Sequence, residues 1–323
     1  MNFNEFKAEV AEKIVDQLSE VEGLRAEVKD VLKNNDQRKT GLILTAGKEN
    51  VAPVIYLEDF YAELQHGRSF ADVLKDIRDI YREHAHMPVA AEDILNVDMK
   101  DKVFAVLVDK ARNTESLENL VYKDVGSGLA LTYRVQVTEV MPDGGQGTVG
   151  ISKGMAMTRG LDVNTIHEMA IDSIRRDPIE FRPMEEIMNE ILQGASANSV
   201  EFNENMEVNK DEVMFVLSNQ SRFYGASLFF YPGVKETIEK ILGEGYFVLP
   251  SSKHELIIIP ESRGVSPEEL SNMVKEVNES QVDSVDQISD TAYFYDPKIK
   301  ELMPVAEMDV QKAPEIDSPQ MTM

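Results

Sequence analysis

Apolar residues at Phe3, Phe6, Val10, Ile14 and Leu18 recur at helical spacing, with Asn2 and Glu5 placed as a capping box ahead of the stripe. The period then changes. Val28 and Leu32, followed by Leu42 and Leu44, alternate on either side of the polar turn Asn34-Asn35-Asp36. This predicts a hairpin over Glu27–Lys33 and Thr40–Thr45 with one buried face. A third strand at Pro53–Leu57 runs into a helix that stops at Gly67. Ser69 and Asp72 cap another, with Phe70, Val73, Leu74, Ile77 and Tyr81 inward. Residues 1–95 therefore read as an α-β-β-β-α-α unit.

A second, β-rich unit spans residues 96–160. Lys102–Val108 is an apolar run that fits a strand or a short buried helix equally well. Val121–Asp124 and Leu129–Val137 are strand candidates, the latter alternating Tyr133, Val135 and Val137 with Thr132, Arg134 and Gln136. Gly147–Met157 reads as a strand pairing back after Asp143-Gly144-Gly145.

A third unit covers residues 161–303. Asp162 or Asn164 opens a helix carrying Ile166, Met169, Ala170 and Ile174; Pro183 opens another carrying Met184, Ile187, Ile191 and Leu192. Val213–Leu217 and Ala226–Tyr231 are expected strands. Pro232 sits in the first turn of a helix that Gly243 ends. Tyr246–Leu249 and Glu255–Ile259 pair around a Pro250-Ser251-Ser252 turn. Ser266-Pro267-Glu268-Glu269 opens a further helix, and Thr291–Tyr295 is a last strand. Residues 304–323, with three prolines and many acids, are expected to be a disordered tail. The fold class is α+β: mixed or antiparallel sheets with helices packed on them, in two to three units.

Composition narrows the chemistry. The 323 residues hold 58 acidic against 33 basic side chains, a formal net charge of -25, which argues against direct binding of a nucleic-acid backbone. Zero Cys excludes disulfides, thiolate metal sites and thiol nucleophiles. No segment reaches the roughly 18 apolar residues of a membrane span, and Met1–Leu18 lacks a signal-peptide pattern, so a cytoplasmic location is expected.

The runs Tyr224-Gly225-Ala226, Leu228–Val234, Phe247–Glu255, Glu276-Val277-Asn278 and Ile288–Asp296 resemble a family of bacterial proteins, domain of unknown function 5688, found mostly in gut Firmicutes. The resemblance continues through Leu129–Arg134 and the opening helix, so it covers nearly the whole chain. Gly126-Ser127-Gly128 departs from the longer acidic and apolar residues expected there. The resemblance implies a source and an extent, and no mechanism.

Ser251, Ser252, His254 and Glu255 are the most chemically pointed cluster. On an extended segment Ser252 and His254 share one face, with Ser251 and Lys253 on the other. Ser252, His254 and Glu255 are the catalytic candidates, although a hydrolase also needs an orienting carboxylate and an oxyanion hole. The competing reading is a polar turn joining two strands. Ser251, Tyr224, Tyr231, Asn278 and Asp290 are candidates for ligand or partner contact. Gly145–Gly150 matches a dinucleotide fingerprint, but the residues after it read as a strand rather than a helix. His84 and His86 lack a third ligand and read as a solvated helix end. His167-Glu168 lacks the second histidine of a zinc helix and reads as ordinary helix. No cofactor and no metal is expected.

These readings favour a non-catalytic interaction or regulatory protein with a protein partner. The alternatives are a hydrolase or small-molecule-binding enzyme using Ser251–Glu255, and an acidic inhibitor or mimic acting on a nucleic-acid-binding protein. Oligomeric state is left open.

Overall fold

A capping box at Asn2 and Glu5 starts helix α1 (Phe3–Gln17), whose Phe6, Val10 and Ile14 are fully buried. In this computed structural model, residues 1–46, 54–84, 96–137, 147–193, 201–209 and 211–308 are described. The stripe of α1 packs against the hairpin β1 (Arg25–Leu32) and β2 (Arg38–Thr45), which β3 (Val54–Tyr56) extends to three antiparallel strands. Helices α2 (Leu57–Gln65) and α3 (Phe70–His84) close that core with Leu57, Val73, Leu74 and Ile77. The side chain of His84, residue His86 and the start of the glycine motif at Gly145 lie outside the described residues.

The middle sheet pairs β4 (Val103–Asp109) along the whole of β6 (Leu129–Gln136). The opposite edge of β6 takes β5 (Tyr122–Gly126) first and then β7 (Thr148–Gly150). Between β4 and β5 lies the short helix α4 (Thr114–Asn119). Both faces of this sheet are apolar because both are covered. Val103, Ala105 and Leu107 face the main core, while Val106 and Val108 join Ala130 and Leu117 on the outer face.

The third sheet has six antiparallel strands in the order β13-β12-β10-β11-β9-β8, namely β8 (Ile179–Pro183), β9 (Phe215–Asn219), β10 (Tyr246–Ser252), β11 (Glu255–Pro260), β12 (Tyr293–Asp296) and β13 (Glu301–Pro304). Alternation assigns its faces. Tyr246, Val248, Leu256, Ile258 and Tyr295 look toward the middle sheet, and one apolar cluster runs from Met99 to Tyr295. Phe247, Leu249, Ile259 and Phe294 look the other way and are covered by the helix Pro267–Ser280. That helix carries the expected cap, first-turn proline and capping-box glutamate.

Several expectations need correction. Gly147–Met157 is not one strand: β7 ends at Gly150, and Lys153–Thr158 is a helix capped by Ser152 Oγ, which accepts from the Met155 amide at 3.0 Å. Six residues are too few to show a stripe. Ala226–Tyr231 is not a strand either, because Gly225–Phe230 winds as a 3-10 helix with residues 225–229 all buried. A short apolar run buried on every side carries no period to read. Pro232 precedes the left-handed cap Gly233 of the helix Val234–Leu242 instead of entering its first turn. Ile191 and Leu192, expected inward on the helix Met184–Gln193, are 72% and 80% exposed. Strands β8 and β13 were not expected, and Pro304 to Glu307 continues in ordered structure with Val305 buried. Residues 309–323 of the expected tail lie outside the described residues.

The first unit is fastened to the rest by the turn of its own hairpin. Asn35 and Asp36 adopt left-handed backbone, φ 61° and 48°, a conformation that asparagine and aspartate tolerate better than most residues. The Asn35 amide donates to Asn113 Oδ1 at 2.8 Å. Helix α4 has no capping side chain of its own, and Asp36 supplies one from across the interface. Its carboxylate accepts from the Glu115 and Ser116 amides at 2.7 and 2.9 Å and from Ser116 Oγ at 2.7 Å. Burial alone would raise this carboxyl, but these hydrogen bonds outweigh it and hold it below its ordinary value. On the other flank Asn34 and Asn35 donate to the Gln287 carbonyl at 2.8 and 3.0 Å.

Asp36→Ala is expected to lower stability by about 1–2 kcal/mol, the usual cost of a lost N-cap, and to speed amide exchange at Ser116. Chemical denaturation with exchange measured at Ser116 checks this; unchanged exchange there would show that Asp36 does not hold α4.

Candidate functional site

The tip of the β10–β11 hairpin sits where three parts of the chain meet. The expected turn at Pro250–Ser252 is displaced: those residues remain in β10, with a register shift between Leu249 and Ser252, and Lys253 and His254 make the turn. The segment is therefore not extended through His254, and Ser252 and His254 do not present their side chains as a strand pair. Instead Ser252 Oγ accepts from the His254 amide at 3.1 Å. Glu255 opens β11 opposite Ser252. Ser251 lies in β10, and its side chain lies outside the described residues.

The His254 ring packs on Tyr224, with centroids 5.4 Å apart, and its Nδ1 accepts from the Tyr224 amide at 3.3 Å. This leaves Nε2 to carry the proton of the neutral ring. Nε2 is 3.8 Å from Asp286 Oδ2, too long for a hydrogen bond and an ion pair only when the ring is protonated. Asp286 is bound more closely by Lys253, with Nζ at 2.5 Å from Oδ1, and the Lys253 amide donates to the Asp286 carbonyl at 2.8 Å. Burial would raise Asp286, but the His254 and Lys253 interactions outweigh it and hold the carboxyl at about 2. Asp286 is the acid beside His254 that sequence reasoning missed. Its only signal there was its place in a polar loop, thirty-odd residues away.

Tyr224 has left-handed backbone, φ 59°, and stacks with both Phe104 and His254. The next residue must be glycine. A Cβ on Gly225 would stand 2.7 Å from both the Asn219 nitrogen and the His254 carbonyl oxygen. Tyr231 lies elsewhere, buried, with its hydroxyl donating to the Ala170 carbonyl at 3.3 Å and its pKa pushed up to about 12 by burial. It borders a cavity of about 310 Å³ on the far side of Phe223 and Tyr224. His167, read as ordinary helix, is buried and pairs its Nδ1 with the Tyr133 hydroxyl at 3.0 Å.

Asn278 and Asp290 do meet, though away from His254. Asn278 Nδ2 donates to Asp290 Oδ1 at 2.8 Å and to the Ser289 carbonyl at 3.0 Å, and Arg112 binds the other Asp290 oxygen. The Asn278 carbonyl in turn accepts from Gln287 Nε2 at 2.7 Å. These two residues anchor the 283–290 loop, the same loop that receives Asn34 and Asn35 from the first unit.

Under these contacts lies a cleft of about 370 Å³. Its floor is the outer face of the middle sheet, at Val106, Val108 and Thr132. Its walls are the end of β1, Tyr56, and the hairpin tip. Of Ser252, Lys253, His254 and Glu255, Lys253 lines it. Lys33 and Arg134 line it too, and no Asp or Glu is among the described lining residues. Lys33 Nζ sits over the Tyr56 ring at 4.2 Å. Arg134 is fixed by donating from Nε to Thr148 Oγ1 at 2.9 Å and from Nη2 to the Thr148 carbonyl at 3.0 Å. Burial lowers the Lys33 pKa, and the positive charges of Arg134 and Lys253 push the same way. Sequence alone does not reveal this cluster, because its three cations stand about a hundred residues apart. Among the described residues no three His, Asp or Glu side chains converge as a metal site. No described helix is long and apolar enough to cross a membrane.

Because Asp286 is held below its unfolded value, its contribution to stability is full above about pH 4 and fades as pH falls toward 2. Asp286→Asn is expected to cost about 1 kcal/mol at neutral pH, allowing for solvent screening, and close to nothing at the acid end. Denaturation curves of both proteins across that range check it; a gap that stays constant or widens with acid would refute it.

The model of a family of unknown function (DUF5688) matches residues 3–297. No curated protein and no solved structure matches the chain. The match spans most of the sequence, and the chain belongs to the DUF5688 family.

Proposed function

We propose that this is a non-catalytic regulatory binding protein of a bacterial cytoplasm, in keeping with the gut Firmicutes resemblance, and that its ligand is a small anion held in the cleft. One observation carries the reading. In a chain of net charge -25, three cations converge on a concavity whose described lining holds no carboxylate. Such a focus of positive potential inside an acidic protein draws small anions, while the acidic exterior repels polyanions such as nucleic acid. Mutual repulsion of Lys33, Arg134 and Lys253 is a cost carried in the empty cleft, and an anion relieves it. The walls come from the first unit and from the rest of the chain, so ligand and docking support each other. That coupling is the regulatory element: occupancy strengthens the contact between the hairpin of residues 25–45 and its partners.

The hydroxyl of Ser252 is engaged by main chain, which favours binding over nucleophilic chemistry at this segment. A protein partner that reads the docked state completes the proposal.

Lys33→Met separates this role from a structural one by sign. It is expected to raise the melting temperature of the ligand-free chain, by removing a half-buried repelled cation, and to abolish the stabilisation that citrate or pyrophosphate gives the wild type. Thermal denaturation at matched ionic strength reads both. A variant that is less stable yet still responds to anions would overturn the proposal.

A further inference from the structure

The helix Met184–Gln193 turns much of its apolar side to water. At about 100° per residue, Met184, Ile187, Met188, Ile191 and Leu192 form one apolar stripe, and Glu186, Asn189, Glu190 and Gln193 form the opposite arc. A surface helix ordinarily sets such a stripe against the core. Here Arg182 of β8, itself buried, draws the acidic arc toward the sheet instead. Its Nη1 and Nη2 donate to the two Glu190 carboxylate oxygens at 2.9 and 2.5 Å, and Nη2 lies 3.5 Å from Glu186 Oε2. A bidentate pair shielded from water fixes the rotation of the helix as well as its position. Ile187, next to the acidic arc, is buried, while Met188, Ile191 and Leu192 are 56%, 72% and 80% exposed.

The exposed residues continue as a surface. At the start of the helix the Met184 amide donates to the Met214 carbonyl at 3.0 Å, and beside Met214 the side chain of Val213 is half exposed. From Met184 the ridge runs at i, i+4, i+7 and i+8, the spacing that fits the grooves of a second helix over about 15 Å. The charges around the ridge set the sign of that helix. Glu185 and Glu186 stand exposed at its rim. From Pro183 to Asn209 the sequence has six glutamates and no Lys or Arg, and Arg182 is already engaged by Glu180 and Glu190. A second copy of the chain would set these acids against one another, at a net charge of -25 on each. Lys and Arg flanking an apolar stripe are the complement.

We propose that Met188, Ile191 and Leu192 dock a cationic amphipathic helix of a partner protein, its apolar residues on the stripe and its Lys or Arg side chains toward Glu185 and Glu186. This face shares no residue with the anion cleft, so the failure of either reading leaves the other standing.

Fluorescence anisotropy with the full chain tests it. The probe is a labelled peptide of Leu and Lys patterned as an amphipathic helix of about four turns. An isomer with the same residues scrambled off one face, and a Leu and Glu counterpart, are the controls. The patterned cation is expected to bind about tenfold more tightly than the scrambled one and to weaken with salt, and the Glu peptide to stay free. Met188→Ser with Leu192→Ser is expected to bring that ratio close to one. Met157→Ser, at a similarly exposed apolar residue on the helix Lys153–Thr158, is expected to leave it unchanged. The double variant should keep the wild-type melting temperature, since both side chains already meet water. A ratio near one in the wild type, or one that the double variant retains, would overturn the proposal. So would a melting temperature several degrees lower, which would show that the chain itself covers the stripe. A wild-type dimer that the double variant turns into a monomer would assign the face to a second copy instead. Adsorption to phosphatidylcholine vesicles that the double variant loses would assign it to a lipid surface.

Discussion

The shape of the cleft depends on a three-residue turn, Asn34–Asp36, finding its socket. Asn34, Asn35 and Asp36 spend their side chains on partners outside their own hairpin: the amides at the start of α4, the Asn113 side chain, which donates to Asn35 Oδ1, and the carbonyls of Ser284 and Gln287. The backbone permits this because two consecutive residues turn left-handed, which brings the Asp36 carboxylate and the Asn35 side-chain amide to opposite flanks of the interface. Remove the turn and the outer face of the middle sheet keeps only the wall at the Lys253 hairpin tip. With it in place, the same face becomes the floor of a polar-walled cleft.

The charge of the chain acquires a different meaning in that setting. A net charge of -25 describes the exterior, where Arg38, Arg68, Arg82 and Lys240 are each paired with an acid. Such exposed pairs contribute little to stability individually. Lys33 and Arg134 stand apart because Tyr56 and Thr148 position them without neutralising them. Half-buried cations held by neutral partners are a cost to folding, and here that cost is concentrated in one cleft.

Much of the architecture was legible in the sequence because local rules and tertiary packing agree. The capping boxes at Asn2 and Ser266, the hairpin around residues 34–36 and the alternation in β6 and β10–β11 all needed only neighbours along the chain. The segment 225–230 was misread because its environment is apolar on all sides, so the pattern that separates strand from helix is absent. The turn at Lys253-His254 was misplaced by two residues since a bulge after Leu249 keeps Pro250–Ser252 in the strand. Within the segment Ser251–Glu255 the side chains divide between the turn, the aromatic stack and the cleft. Its serine and histidine serve the turn and the Tyr224 stack, and Lys253 reaches the cleft. Lys33, Arg134 and Asp286 could not be found by inspection, since nothing in their local sequence shows that they meet. Asn278 and Asp290, each named as a candidate for ligand or partner contact, hydrogen-bond to each other and hold the loop on which the turn docks.

The borrowed cap on α4 also fixes an order of events. Asn35 bonds to a residue 78 positions away and to another 249 positions away, so its contacts close some of the longest loops in the chain. Loop closure of that length is entropically late, because the sheets that bring the partners together have to form first. Helix α4, six residues long and without a cap of its own, has little reason to persist before then. Its capping accordingly depends on the docked turn, so α4 and the contact between the first hairpin and the middle sheet form or are lost together.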